Sequence, residues 1–266
     1  MRWILQDFED TRKLGDVLAR LGLTHSWHKV VPFVGTLQPD PVMAAGEEVI
    51  LFGSYTLWRY AKAHGLRPGV FRIRPFLHEG PWQAHMLNGP NARVLPLAAI
   101  PKQVPADDRP WFLRPTDDSK EIAGGVKSGR EIVEIAQKVL ALPEDDLPRG
   151  SLNHQSELML CPPAHINAEW RLWVVDDVVV TWSLYRFGPR VVYRPEIDDD
   201  ALAFARDLVA ANPRYAPAYV MDVCRTTDGL RMLETNCLNA AGFYAADLNK
   251  LVMALEDLSS RTGTWT

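Results

Sequence analysis

Two hydrophobic periods alternate along this chain, and each switch between them marks a change of element. Arg2-Trp-Ile-Leu5 reads as a first strand. Residues 8–21 then carry helical spacing through Leu14, Val17, Leu18 and Leu21, stopped by Gly22. A second strand is predicted over 25–34. Glu48-Val-Ile-Leu-Phe52 reads as a buried strand running into Gly53-Ser54, with Ser54 as N-cap of a helix over 55–64 and Gly65 as its stop. This order predicts an α/β unit with some parallel pairing. Residues 66–100 are rich in Pro, Gly and aromatics and predict loops with short elements. Trp82, His85 and Asn88 fall there at roughly helical spacing, as in a packed surface helix or the lining of a site. Trp58, Phe71, Phe76 and Trp82 suit a core better than a substrate wall.

A second unit starts near residue 92. Val94–Ile100 approaches a strand, and Trp111-Phe-Leu-Arg114-Pro115 is a short one. A polar loop, Thr116–Lys120, leads to Gly124-Gly125. Residues 128–140 predict a helix opened by a capping box of Ser128 and Glu131. Residues 155–161 and 169–185 predict strands, the latter folded at Asp176-Asp177. A helix over 198–212 is capped by Asp198 and ended at Asn212-Pro213. A hairpin over 219–236, a loop over 237–243 and a helix over 244–258 complete the chain.

That hairpin carries the strongest chemical signal. Asp222, Glu234 and Asn236 sit inside otherwise apolar runs, and side chains two apart on a strand share a face. Such groups are costly to bury unless something compensates them, and a hard divalent cation such as magnesium takes carboxylate and amide oxygens. A solvated edge hairpin is the alternative, opposed by Val220, Val223, Leu230 and Leu233. Register decides the geometry. A two-residue turn sets Asp222 opposite Thr235, whereas a three-residue loop, Thr227-Asp228-Gly229, sets it opposite Glu234. The second register is the expectation.

Arg114 and Lys120 flank a turn and are candidates to grip phosphate, with Gly124-Gly125 letting backbone N–H groups approach an anion and Lys102 as a further basic candidate. A solvated loop is the alternative. Glu169 and Arg171 share a strand face, as an ion pair or near a ligand. There is no Walker-type or G-x-G-x-x-G motif.

Composition, 47% hydrophobic and 23% charged, is that of a globular protein. A net charge of −4 argues against nucleic acid and against a metal-dependent nuclease, although Arg67, Arg72 and Arg74, and again Arg186, Arg190 and Arg194, cluster locally. Acidic residues at Asp7, Glu9 and Asp10 and the lack of a long apolar run predict a cytoplasmic protein without signal peptide or membrane span. Cys161, Cys224 and Cys237 have no metal-ligand spacing and read as reduced, buried thiols.

Taken in order, Phe112-Leu-Arg114-Pro115, Ser119-Lys120, Gly124, Glu169-Trp-Arg171, Asp222 and the Glu234-Thr-Asn236…Gly242-Phe-Tyr244 ending resemble the ATP-grasp superfamily, in the clade named for one arginine and two lysines. The resemblance covers about residues 92–258. It implies an α/β fold with α+β grasp lobes: a pre-grasp α/β domain over 1–91, an N-lobe over 92–155 and a C-lobe with the metal site over 156–266. It implies ATP and magnesium (or manganese) as cofactors, with Asp222, Glu234 and Asn236 as metal ligands and Arg114 and Lys120 on the phosphates. Arg171 would lie close to those phosphates, and Arg186 near the γ-phosphate or an acceptor carboxylate. Glu157, Leu158, Met159 and Leu160 would form the hinge strand whose backbone meets adenine. One departure is a glycine-rich flap reduced to residues 120–125. The implied activity is ligation of a carboxylate to an amine through an acyl phosphate, on small-molecule or peptide substrates, with homo-oligomerisation left open. A small-molecule kinase and a non-catalytic nucleotide-binding module share the same residues.

Overall fold

The computed structural model describes residues 1–262 apart from 32, 33, 35, 45, 55, 56, 67–69, 117–121, 149 and 240, and it leaves the side chains of 58, 59, 90 and 262 undescribed. The chain opens as β1 (Arg2–Gln6), α1 (Glu9–Arg20), β2 (His25–Val30), β3 (Leu37–Gln38), β4 (Val49–Phe52) and α2 (Leu57–Ala63). The sheet order is β3-β2-β1-β4, with β2 and β4 both parallel to β1. The unbroken apolar run of β4 is wholly buried, as a strand covered on both faces requires. Gly22 takes a φ of 68° at the end of α1, a conformation that favours glycine. The predicted start of α2 at 55–56 lies outside the described residues.

Residues 71–92 form a strap rather than a helix, built on three 3₁₀ turns, Phe76–His78, Gly80–His85 and Gly89–Asn91. Trp82 anchors it: the ring is fully buried, lies edge-on to Tyr215 at 4.6 Å, and donates from Nε1 to the Leu208 carbonyl at 2.7 Å. Trp82→Ala is expected to cost about 3–5 kcal/mol in a denaturant melt, since the cavity cannot collapse around a lost indole.

The strap leads into β5 (Arg93–Pro96), α3 (Ile100–Gln103), β6 (Pro110–Pro115), β7 (Gly125–Ser128), α4 (Gly129–Leu140) and β8 (Glu157–Cys161). These strands form an antiparallel sheet in the order β5-β8-β6-β7. The capping box opens α4 as expected: Ser128 Oγ accepts from Glu131 N at 3.2 Å, and a Glu131 carboxylate oxygen accepts from Ser128 N at 2.7 Å. Gly125 is not in a loop; it begins β7, opposite Leu113.

The third sheet contains β9 (Ile166–Val175), β10 (Val178–Phe187) and β11 (Arg190–Arg194). After α5 (Asp199–Ala211) come β12 (Ala218–Thr226) and β13 (Gly229–Asn236), then α6 (Leu248–Thr262). The order is β11-β10-β9-β12-β13. Asp176 and Asp177 both adopt positive φ, 50° and 57°, the conformation of a tight hairpin turn. Asp198 does not cap α5 with its side chain; it pairs with Arg225 at 2.9 Å. The last helix starts at Leu248, not 244, because the Asp247 carboxylate accepts from the backbone of Asn249 and Lys250 at 3.0 and 3.2 Å.

One face of this sheet packs Leu172, Val174, Met221 and Val223 against α5 and the strap. The opposite face changes chemistry along its length. Trp173, Val175 and Val220 pack against α6 and the N-terminal sheet through Trp3, Leu5 and Leu251. Two residues further along the same strands and the same face stand Arg171 and Asp222, and beyond them Glu169. The fold therefore buries half of a sheet face and leaves the other half facing the β5-β8-β6-β7 sheet.

Candidate active site

The charged half of that face is ordered by strand register. Asp222 pairs with Arg171 on β9 and with Glu234 on β13. The alignment with Glu234 is the expected one, but its cause is not. The β12–β13 turn closes at Thr226 opposite Gly229, a two-residue turn, and a bulge at Leu233 then inserts the extra residue that brings Glu234 opposite Asp222.

Arg171 fixes Asp222 through two parallel bonds, Nε to Oδ1 at 2.9 Å and Nη2 to Oδ2 at 2.8 Å. Asp222 has no exposed surface, so this guanidinium is its compensation. Burial pushes the Asp222 carboxyl up to about 6 while Arg171 opposes the rise, which leaves a carboxylate at neutral pH. Burial alone would lower the Arg171 pKa, but Asp222 overrides it and the guanidinium is held charged. Glu234 receives hydrogen bonds from Arg114 and from Asn236 Nδ2, the latter at 2.9 Å. Burial disfavours its charge, yet Arg114, Asn236 and Arg171 outweigh burial and hold its carboxyl below the usual range.

A second layer surrounds Glu169, which accepts from Tyr185 Oη and, at 2.8 Å, from Arg186 Nη1. Tyr185, Tyr244 and Tyr193 stack in sequence with ring centroids 5.2 and 4.9 Å apart, and Arg171 lies over the first two at 5.6 and 5.1 Å. Tyr244 takes a φ of 53° to reach this stack.

Between the two sheets lies a cleft of about 570 Å³. Its charged lining is Arg114, Glu169, Arg171, Arg186 and Glu234 with Asn236, and its apolar lining includes Phe112, Ile122, Ile166 and Leu233. Gly124, Gly242, Tyr185 and Tyr244 also reach it. Sequence reasoning missed Tyr185, Ile166 and Leu233 as lining residues; period-two spacing from Arg171 or Glu234 does not reveal which strand ends border a cavity.

Not every candidate joins the cleft. Asp222 lies behind Arg171. Gly125 is spent in the β6–β7 ladder, and Lys102 is exposed on α3 away from the lining. Lys120 lies outside the described residues. Glu157, Leu158, Met159 and Leu160, the expected hinge strand, occupy the central strand β8, paired to β5 on one side and β6 on the other. A central strand has no spare backbone groups, so free backbone begins only past Cys161. The Glu157 side chain faces His78 at 3.1 Å instead. Burial pushes the Cys161 thiol up to about 11 and Cys224 up to about 12, which removes both as nucleophiles at neutral pH.

The donor chemistry fits a hard cation. Glu234 and Asn236 offer a carboxylate and an amide oxygen to the cleft, with the Asp222 carboxylate across the ladder and no sulfur or imidazole among them. Among the described residues no cluster of three or more His, Cys, Asp or Glu side chains is placed to hold a metal.

Two sheet-bearing lobes that close on an arginine-rich, acidic cleft, behind a small parallel α/β unit, define a two-lobed nucleotide-binding architecture. The model of the ATP-grasp domain, R2K clade family 3, matches residues 60–255, and the chain belongs to that family. Among solved structures, D-cycloserine synthetase DcsG is similar over 97% of this chain and 100% of its own, at 17% identity and a TM-score of 0.62. A RimK domain ATP-grasp protein from Sphaerobacter thermophilus DSM 20745 covers 99% and 98%, at 16% identity and 0.57. The ATP-grasp ligase PsnB, complexed with a minimal precursor, covers 97% and 98%, at 13% identity and 0.54. A search of curated proteins found no match. No described helix is long and apolar enough to cross a membrane.

Proposed function

We propose that this chain is an ATP-dependent ligase that joins a carboxylate to an amine. One observation carries the reading: Arg114, Arg171, Arg186, Glu234 and Asn236, drawn from both lobes, converge on one cleft. Membership of the ATP-grasp family and the ligases among the similar structures support it. In the proposed reaction a substrate carboxylate oxygen attacks the γ-phosphorus of ATP and ADP leaves. The amine then attacks the acyl carbon of the mixed anhydride, and phosphate departs.

Each residue has a role that needs no covalent chemistry. Arg114 and Arg171 present guanidinium groups to the polyphosphate, and Lys120, six residues after Arg114 in the sequence, is assigned to the same anion. Arg186, on the exposed rim beside Glu169, receives the acceptor carboxylate. Glu234 and Asn236 would hold magnesium, which would offset phosphate charge, while Asp222, bonded to Arg171, adds negative charge behind them. Tyr185 and Tyr244 wall the cleft and restrict water. The lobes over 92–155 and 156–266 supply these groups, and the unit over 1–91 adds Asn88 to the lining. Substrates are small molecules or peptides, as for the synthetase and the precursor-bound ligase among the similar structures.

ADP release should require magnesium, a carboxylic acid and an amine together, and chelation with EDTA should reduce it to background. Coupled-enzyme detection of ADP over a panel of amino acids, peptides and amines measures this. ADP release driven by a hydroxyl compound alone would replace ligation with phosphotransfer.

A further inference from the structure

Asn88 stands on the strap between the lobes, one residue past Leu87, whose backbone N–H donates to the Met232 carbonyl of β13 at 2.8 Å. Its side chain is 7% exposed. It lines the 570 Å³ cleft and also a second cavity of about 330 Å³ that continues past the end of β8. Cys161 Sγ donates to its Oδ1 at 3.0 Å. With the oxygen so engaged, Nδ2 is the remaining polar atom of the side chain, and it has no acceptor among the described residues. An amide donor without an acceptor, on a side chain that is largely buried and borders two cavities, is a group shaped for a ligand.

The adjacent backbone sharpens the point. Chain leaving β8 continues as Pro162-Pro163, which also line the second cavity. Proline has no N–H, so this stretch offers carbonyl acceptors and no backbone donor before Ala164. An adenine edge needs both kinds of partner: its amino group donates and its ring nitrogen accepts. Carbonyls of the proline run suit the amino group. The ring nitrogen requires a donor, and the buried donor common to both cavities is Asn88 Nδ2.

We propose that Asn88, oriented by Cys161, selects adenine by donating to its ring N1. This rests on the reading of the cleft as an ATP site. Hypoxanthine and guanine carry N–H at that ring position, so two donors would oppose each other and binding would weaken by roughly tenfold to a hundredfold.

Titration calorimetry on the intact chain with ATP, ITP and tripolyphosphate tests it. The wild type should prefer ATP to ITP by that factor. Asn88→Asp offers an acceptor in the same volume and should erase or invert the preference. Asn88→Leu should weaken ATP with little change for ITP. Tripolyphosphate affinity should be unchanged in both. Should Asn88→Asp melt early, Cys161→Ala carries the test: the freed amide should narrow the ATP-to-ITP ratio, with tripolyphosphate again unmoved. An ATP-to-ITP ratio that stays at the wild-type value in well-folded Asn88 variants overturns the assignment while leaving the ATP site intact. Failure of the wild type to bind either ATP or tripolyphosphate overturns both.

Discussion

Arg171→Met is expected to lower stability by about 3–5 kcal/mol and to abolish ADP release. The stability loss follows from Asp222, which has no exposed surface and loses both of its guanidinium bonds. Removing one partner of a buried pair leaves an uncompensated charge, and at neutral pH the Asp222 carboxyl must then take up a proton or draw in water. The activity loss has a separate origin, since the same guanidinium faces the cleft beneath the Tyr185–Tyr244 stack. The two effects separate in the double variant Arg171→Met/Asp222→Leu. An apolar pair of similar volume should restore most of the stability, because replacing both charges removes the desolvation cost with the attraction. Activity should stay at background. Urea melts of the two single variants and the double variant close the cycle. Strictly additive losses would show that the pair does not act as one unit.

Glu234→Gln is expected to cost on the order of a hundredfold or more in magnesium-dependent ADP release. Glutamine keeps the shape but has one acceptor oxygen where Glu234 uses two, so either the Arg114 or the Asn236 Nδ2 donor loses its partner and stability should fall by about 1–3 kcal/mol. What is lost is one of the negative charges on this face. The remaining amide oxygens are weaker donors to a hard cation, and the magnesium concentration for half-maximal rate should rise. A magnesium titration of ADP release measures both quantities. Activity within threefold of wild type at the same magnesium concentration would remove Glu234 from the metal site.

The elements themselves were largely legible in the sequence. Helical spacing in Leu14, Val17 and Leu18, the capping box at Ser128 and Glu131, and the Asp176-Asp177 turn each reflect local forces that act within a few residues. Where local signals were weaker, boundaries slipped. The last helix waits for Asp247, and the Trp82 segment winds as 3₁₀ turns because Trp82 must reach Leu208 and Tyr215. The Asp222–Glu234 alignment was anticipated through the wrong device, since a bulge at Leu233 and not a longer turn supplies the odd residue. Both devices satisfy the same period-two requirement, and sequence does not distinguish them.

The candidate site divides along the same line. By itself the sequence determined that Glu234 and Asn236 share a face, that Arg171 and Glu169 share another stretch of strand face, and that a cluster of oxygen ligands sits among apolar residues. Those follow from strand geometry alone. Only the tertiary structure decided that Arg114 meets Glu234 across 120 residues, that Asp222 is withdrawn behind Arg171, that the backbone of Glu157–Leu160 is consumed in a central strand, and that Asn88, bonded to Cys161, borders the cleft. Each of these depends on which sheets face one another and which strand is central. Those choices are settled by burial of large apolar surfaces distant in sequence, such as Trp173 and Val220 against Trp3 and Leu251.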